Sequence, residues 1–268
     1  MSLGPYTQAD IVEAYRSVGV TVKRVIYVTS DFGRLMAYER PGKSSALGAH
    51  LEVLRDLVGP EGTVVVPTAS LNLCNRGIPF DVDNTPSFRV GTFSEHVRRQ
   101  AGSARSFHPF VSYTALGRDA HALTDDVARH AFGPETPEAR MIDADALCVV
   151  VGKHPRLTCS TVHHVEMIMG VPYRYTKEYE HPVVRNGKTR KEMFYQYVWY
   201  RDIDLERDGN RRIFAGFSAA HDLRQAPLGR GLIHAYSMRA FAAFCQKLLA
   251  RDIYAWCARP PEKRPYRV

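Results

Sequence analysis

The segment Ser160-Thr161-Val162-His163-His164-Val165-Glu166 carries the residue types best suited to chemistry in this chain. On a helix, His163 and Glu166 stand three residues apart and share a face. A carboxylate in that position holds an imidazole in one orientation, and imidazole is the usual side chain for taking a proton near neutral pH. The same spacing also fits an ordinary surface His–Glu pair. Zinc is poorly served, because H-E-x-x-H is absent and no cysteine cluster completes a site.

Two more stretches group polar residues where a ligand could meet them. Arg105-Ser106-Phe107-His108-Pro109 places basic, hydroxyl and imidazole groups together, fit for a phosphate or a carbonyl oxygen. A residue before proline is held extended, so the ring of His108 could equally be placed by structure alone. The apolar run Val25-Ile26-Tyr27-Val28 ends at Thr29-Ser30-Asp31-Phe32-Gly33, where hydroxyls and backbone N–H groups just past a strand can receive a polar cofactor arm. That turn is neither a P-loop nor a dinucleotide fingerprint, since G-x-x-x-x-G-K-[ST] and G-x-G-x-x-G are both missing. No G-x-S-x-G elbow supports a hydrolase.

These residues need a scaffold, and the apolar periodicity supplies one. Gln8 to Val18 has helical spacing, Val25 to Val28 reads as a buried strand, and His50 to Val58 as an amphipathic helix stopped by Gly59-Pro60-Glu61-Gly62. A second buried strand, Thr63 to Val66, ends at Pro67. Residues 71–91, rich in Asn, Gly, Pro and Asp, read as loop, and Phe93 to Gln100 as a helix. Leu147 to Gly152 is a third strand leading into a helix over Ser160 to Met169, with Ser160 or Thr161 as its N-cap. Asn186-Gly187 marks a hairpin between Val183 and Tyr200, and Ile233 to Leu249 reads as a late helix. The alternation predicts a mixed α/β fold with a partly parallel central sheet flanked by helices. Open sheets of this kind bind ligands at the carboxyl ends of their strands, where the strand ending at Gly152 would deliver His163.

Composition sets the outer bounds. The chain has 268 residues, 45% apolar and 24% charged, which suits a globular chain with a sizeable core. No apolar run is long enough for a membrane span. Met1 to Pro5 does not resemble a secretory signal, and the five unpaired-looking cysteines suggest reduced thiols, hence a cytoplasmic setting. The net charge of +8, partly concentrated in Arg259 to Arg267, points to an anionic partner, either a phosphate-bearing small ligand or nucleic acid.

Taken in order, these segments resemble the aminoglycoside 3-N-acetyltransferase family, also called the antibiotic N-acetyltransferase family. The likeness covers roughly residues 8 to 175. It is carried by the strand and turn at Val25 to Phe32, by Gly59-Pro60-Glu61-Gly62-Thr63-Val64-Val65-Val66-Pro67-Thr68, and by Phe80-Asp81 through Thr85-Pro86 to Gly91-Thr92-Phe93-Ser94-Glu95. Further support comes from Arg105-Ser106-Phe107-His108-Pro109, Thr136-Pro137, and Ser160-Thr161-Val162-His163 with Glu166, a T-x-x-H-x-x-E-like stretch followed by Val171-Pro172-Tyr173. Thr29 stands where the family usually has His, Asp31 where it has Ser, and Ser160 where Thr is common. The resemblance implies a single acyltransferase domain over residues 1–268, of the antibiotic N-acetyltransferase type rather than the GNAT fold. It implies acetyl transfer from acetyl-CoA to a primary amine, with no metal. His163 would be the base, Glu166 its orienting partner, and Ser160 or Thr161 a donor to the thioester oxygen. Thr29, Ser30, Asp31, Phe32, Arg105, Ser106 and His108 would hold coenzyme A. The partner is then a small-molecule amine, an amino sugar or an aminoglycoside, with no nucleic acid or membrane required and a homodimer compatible with the sequence. A basic nucleic-acid or anion-binding protein is the competing reading.

Overall fold

The computed structural model describes residues 4–22, 24–35, 38, 39 and 45–264. In chain order it contains α1 (Gln8–Ser17), β1 (Val25–Ser30), α2 (Ala46–Val58), β2 (Thr63–Pro67), α3 (Thr92–Arg98), β3 (Ala104–Arg105), β4 (Tyr113–Gly117), α4 (Ala120–Thr124), α5 (Pro137–Asp143), β5 (Leu147–Val151) and α6 (Thr161–Ile168). There follow β6 (Arg174–Arg185), β7 (Lys188–Trp199), β8 (Glu206–Arg207), α7 (Arg211–Ala220), β9 (Arg224–Leu228), β10 (Gly231–Ser237), α8 (Met238–Arg251) and β11 (Cys257–Arg259).

Seven strands form one sheet in the order β3-β4-β2-β1-β5-β10-β9. β1 runs parallel to both β2 and β5, and the outer pairs are antiparallel, so the sheet is mixed as the alternation of elements predicts. The central strands β1, β2 and β5 are buried on both faces, and their side chains divide with a period of two. Ile26, Val28, Val64, Val66, Val149 and Val151 face a core closed by α1, α2 and α3. Tyr27, Val65, Cys148 and Val150 face a second core closed by the later helices and Trp256.

Local chemistry sets the helix starts. Thr7 and Asp10 form a capping box at α1, and the hydroxyls of Ser45, Thr136 and Ser237 cap α2, α5 and α8. Pro137 occupies the first turn of α5, where its missing N–H costs nothing. At the strand ends one glycine is required. Gly152 has φ +73°, and a β-carbon there would collide with the carbonyl oxygen of Asp31.

Three expectations need correction. The late helix starts at Met238, because Ile233 to Ser237 belong to β10, which pairs with β5. A short apolar run does not distinguish the two states by periodicity. The hairpin is also longer than expected. Asn186 (φ 51°) and Gly187 (φ 72°) make the turn, but twelve residues pair on each side, starting at Arg174 opposite Trp199. Finally, Ser160 sits at the N-cap of α6 in helical geometry and makes no side-chain cap. The basic stretch from Arg259 lies in the structure only as far as residue 264. All five cysteines are free thiols, and Cys148 is in the core as its apolar surroundings suggest. Among the described residues no helix is long and apolar enough to cross a membrane.

Candidate active site

Because β1, β2 and β5 are parallel, their carboxyl ends share one edge of the sheet, and Tyr113 at the start of β4 pairs with Pro67 at the same edge. A cavity of about 510 Å³ opens there. Tyr27, Pro67, Tyr113 and Lys153 line it from the strand ends, and Ser160 and His163 line it from the first turn of α6. The short connection from β5 to α6 places the imidazole at this edge, as the strand–helix order implies.

His163 is about one-third exposed, and its ring lies 5.6 Å from that of Phe132. Its Nδ1 is 3.0 Å from Oε2 of Glu166, a carboxylate that is itself buried. The same oxygen receives Nη2 of Arg174 at 2.7 Å. The other oxygen accepts from Trp256 Nε1 at 3.1 Å and from the Tyr173 hydroxyl at 3.4 Å. Burial pushes the Glu166 carboxyl up, but the His163 hydrogen bond and the Arg174 charge outweigh it, and the net direction is down. Arg174 Nη2 also approaches His163 Nδ1 to 3.1 Å. Arginine has only donors. Both groups therefore serve the same oxygen when the imidazole carries its proton on Nδ1, and this tautomer leaves Nε2 unprotonated.

A second buried carboxylate organises the head of α6. Glu138 on α5 is fully buried and accepts from Tyr113 Oη at 2.7 Å, Ser160 Oγ at 2.8 Å and Thr161 Oγ1 at 2.7 Å. Burial, and then the charge of Glu138, push the phenols of Tyr27 and Tyr113 well above their ordinary range, so both remain donors. Tyr27 Oη lies 3.5 Å from Ser160 Oγ. Ser160 and Thr161 thus sit beside His163 as expected, but their hydroxyl protons are committed to Glu138.

The residues expected to hold coenzyme A are placed differently. Arg105 is largely buried and donates to the carbonyls of Val82, Thr85 and Thr68 and to Ser112 Oγ, while its guanidinium lies over the Phe80 ring. Ser106 is fully buried and accepts from Tyr113 N. His108 is buried against Phe110 and Phe194, and its Nδ1 accepts from the backbone N–H groups of Phe110 and Val111. Burial drops its pKa to about 3, so it stays neutral. This segment is a structural staple behind the cavity and not part of its wall. The hydroxyls of Thr29 and Ser30 are buried at the end of β1. Asp31 pairs with Arg34, and Phe32 packs on His50 and Phe93. From that stretch it is Tyr27 that reaches the cavity.

The remaining cavity wall is apolar and cationic, with Ser112, Thr158 and Asn210 as neutral polar members. Arg89, Lys153, Arg156 and Arg207 supply its charges. Burial lowers the Lys153 pKa. Arg207 lies over the Trp199 ring at 4.4 Å. Sequence reasoning missed Glu138, Arg174 and Trp256. Glu138 follows the Thr136-Pro137 pair that the resemblance used, and Arg174 follows Val171-Pro172-Tyr173, so both stood next to a signal. Trp256, ninety residues from Glu166, had none.

The model of a family described as aminoglycoside 3-N-acetyltransferase matches residues 39–250. The chain belongs to the aminoglycoside 3-N-acetyltransferase family. It is similar to aminoglycoside N(3)-acetyltransferase IX of Micromonospora chalcea, with 28% identity over 257 residues and 85% of each chain covered. In fold it is similar to the aminoglycoside acetyltransferase AAC(3)-Xa, with a TM-score of 0.80, 22% identity and 92% and 93% of the two chains covered. It is likewise similar to AAC-IIIb in its binary structure with CoASH, with a TM-score of 0.79, 22% identity and 95% and 99% covered. The matched span contains the motifs from Gly59 to Tyr173, and the solved relatives share the mixed α/β fold. Among the described residues no group of His, Cys, Asp and Glu could hold a metal ion.

Proposed function

We propose that this member of the family transfers an acetyl group from acetyl-CoA to a primary amine of an amino sugar, with residues 1–268 acting as one acyltransferase domain. The observation that carries the reading is the His163–Glu166–Arg174 cluster at the wall of an open cavity. Aminoglycosides are the acceptors that the relatives' names specify, and they belong to the same amine class.

In this reading Nε2 of His163 takes the proton from the amine nitrogen as that nitrogen bonds to the thioester carbon. Glu166 keeps the imidazole on the productive tautomer and balances the imidazolium that forms. The carbon–sulfur bond then breaks, the amide is left, and His163 returns the proton to the departing thiolate. The carbonyl oxygen gathers negative charge on the way and needs a donor. Ser160 and Thr161 are engaged with Glu138, so the Tyr27 hydroxyl is the better-placed cavity donor, with Ser160 as its neighbour. Thioester and pantetheine suit the apolar wall, and phosphates suit Lys153, Arg156, Arg207 and Arg89.

The test is thiol release from acetyl-CoA with a panel of amino sugars and aminoglycosides, with mass spectrometry of the product. An amine-dependent release and an acetylated product are expected. Absence of both with every amine, from a protein that melts cooperatively, sinks the reading.

A further inference from the structure

The charges around the cavity carry information about the acceptor. Four cations line it, namely Arg89, Lys153, Arg156 and Arg207, and among the described residues no acidic side chain does. Among the described residues none of the four has an ion-pair partner, whereas Arg98, Arg118, Arg129, Arg174 and Arg185 all have one. The carboxylates behind His163 and Ser160 are unavailable, and Asp31, whose charge acts on Lys153, pairs with Arg34 outside the cavity lining. Glu166 and Glu138 are buried and saturated by donors from the protein.

The cations also stand on two rims. β1 lies between β2 and β5 in the sheet. Arg89 comes with Pro67, Ala69 and Leu71 on the β2 side, while Lys153 and Arg156 come from the segment that follows β5. An acyl transfer at His163 brings two ligands together, and they need separate approaches to one imidazole. Whichever rim receives the 3′-phospho-ADP arm of coenzyme A, the other rim presents a cation and no carboxylate to the amine. A polycationic acceptor would meet repulsion on either side. Like-charge juxtaposition of that kind is a specificity device in its own right.

We propose that the acceptor is an amine tethered to a phosphate, such as an amino sugar phosphate or a nucleotide-linked amino sugar. The guanidinium fork is the side chain best matched to phosphate oxygens. This inference rests on the acetyl-transfer reading and concerns the choice of amine within it.

The experiment uses the full chain with acetyl-CoA and four probes: glucosamine, glucosamine 1-phosphate, UDP-glucosamine and sisomicin. The first three share one amine and differ in phosphate. The kcat/KM should rise at least tenfold from glucosamine to a phosphorylated probe and be lowest for sisomicin. A preference for the monophosphate over the UDP-linked sugar identifies a free sugar phosphate, and the reverse identifies a nucleotide-linked one. Either order supports the inference. One of Arg89→Glu and Arg156→Glu should raise KM for the phosphorylated probe tenfold or more with KM for acetyl-CoA unchanged, and the other should do the opposite. Equal or better turnover of glucosamine or sisomicin overturns the inference while leaving acetyl transfer intact. If no probe is turned over, calorimetry on the CoA-saturated protein decides. Binding of glucosamine 1-phosphate or UDP-glucosamine but not of sisomicin supports the phosphate, and failure of both phosphorylated probes to bind overturns it. Loss of acetyl-CoA binding itself would instead remove the acetyltransferase reading.

Discussion

Glu166→Gln puts the catalytic reading under the most direct strain. All four groups around this carboxylate are donors: His163 Nδ1–H and Arg174 Nη2 on one oxygen, Trp256 Nε1 and the Tyr173 hydroxyl on the other. An amide replaces one acceptor oxygen by a donor, and no flip of it satisfies every neighbour. The imidazole alone can adapt, by moving its proton to Nε2 so that Nδ1 accepts from the amide. That tautomer has no base facing the amine. In the serine-protease triad the same exchange of carboxylate for amide lowers kcat by about 10⁴, and general-base loss spans roughly 10² to 10⁴. A drop in kcat of that size with little change in KM for acetyl-CoA is therefore expected. The substitution also leaves Arg174, only 7% exposed, without its counter-charge. Breaking a buried pair costs about 3–5 kcal/mol, and at roughly 2–4 °C per kcal/mol for a chain this size the melting temperature should fall on the order of 10 °C. Thiol-release kinetics and a calorimetric melt read the two effects separately. Turnover within threefold of the parent enzyme would refute the tautomer argument, and an unchanged melting temperature would refute the buried pair.

Other predictions follow from the same contacts. His163→Ala should abolish amine-dependent thiol release while keeping the fold and acetyl-CoA binding, and near-parent turnover would reassign the base. Glu138→Leu removes the shared acceptor of three hydroxyls, two of them fully buried with it. At about 1–3 kcal/mol per buried donor left unmet, a loss of several kcal/mol and a misplaced start of α6 are expected, and a denaturant midpoint equal to the parent's contradicts this. Acid should destabilise the fold early. Burial holds His50 and His108 at a pKa of about 3, against an ordinary value of 6.5. Below 6.5 the unfolded chain binds protons that the folded one refuses, so stability is complete above 6.5 and falls as pH drops toward 3. A melting temperature flat between pH 7 and 4.5 would show that these rings are hydrated.

Much of the scaffold was legible because its strands are short, β-branched and bounded by strong turn signals. Val25 to Val28, Thr63 to Val66 and Leu147 to Val151 all pair as parallel neighbours. What misled was polarity read as exposure. Arg105, Ser106 and His108 look like ligand-binding groups in one dimension, yet each turns a polar atom to the backbone around it. Strong local patterning cannot say whether a polar side chain faces a ligand or satisfies its own chain, because buried backbone groups demand partners just as ligands do. The cavity cations show the converse. Arg89, Lys153, Arg156 and Arg207 share no motif and meet only through the topology.

The hairpin of β6 and β7 shows why the His–Glu pair alone understates the site. Its root pairs Arg174 with Trp199, and that register pair is also a cation–π contact, the guanidinium lying 4.8 Å from the ring. Arg174 Nη1 donates to the Tyr197 carbonyl at 2.9 Å, again across the two strands. One guanidinium thus joins the ladder to Glu166, and through Glu166 to His163. A strand slipped by one residue turns every side chain to the other face, which would withdraw Arg174 from the carboxylate and leave that negative charge buried with fewer partners. The tight turn at Asn186 and Gly187 therefore acts on the far end of the hairpin through the register. It helps set the register that decides which residue of the hairpin faces Glu166.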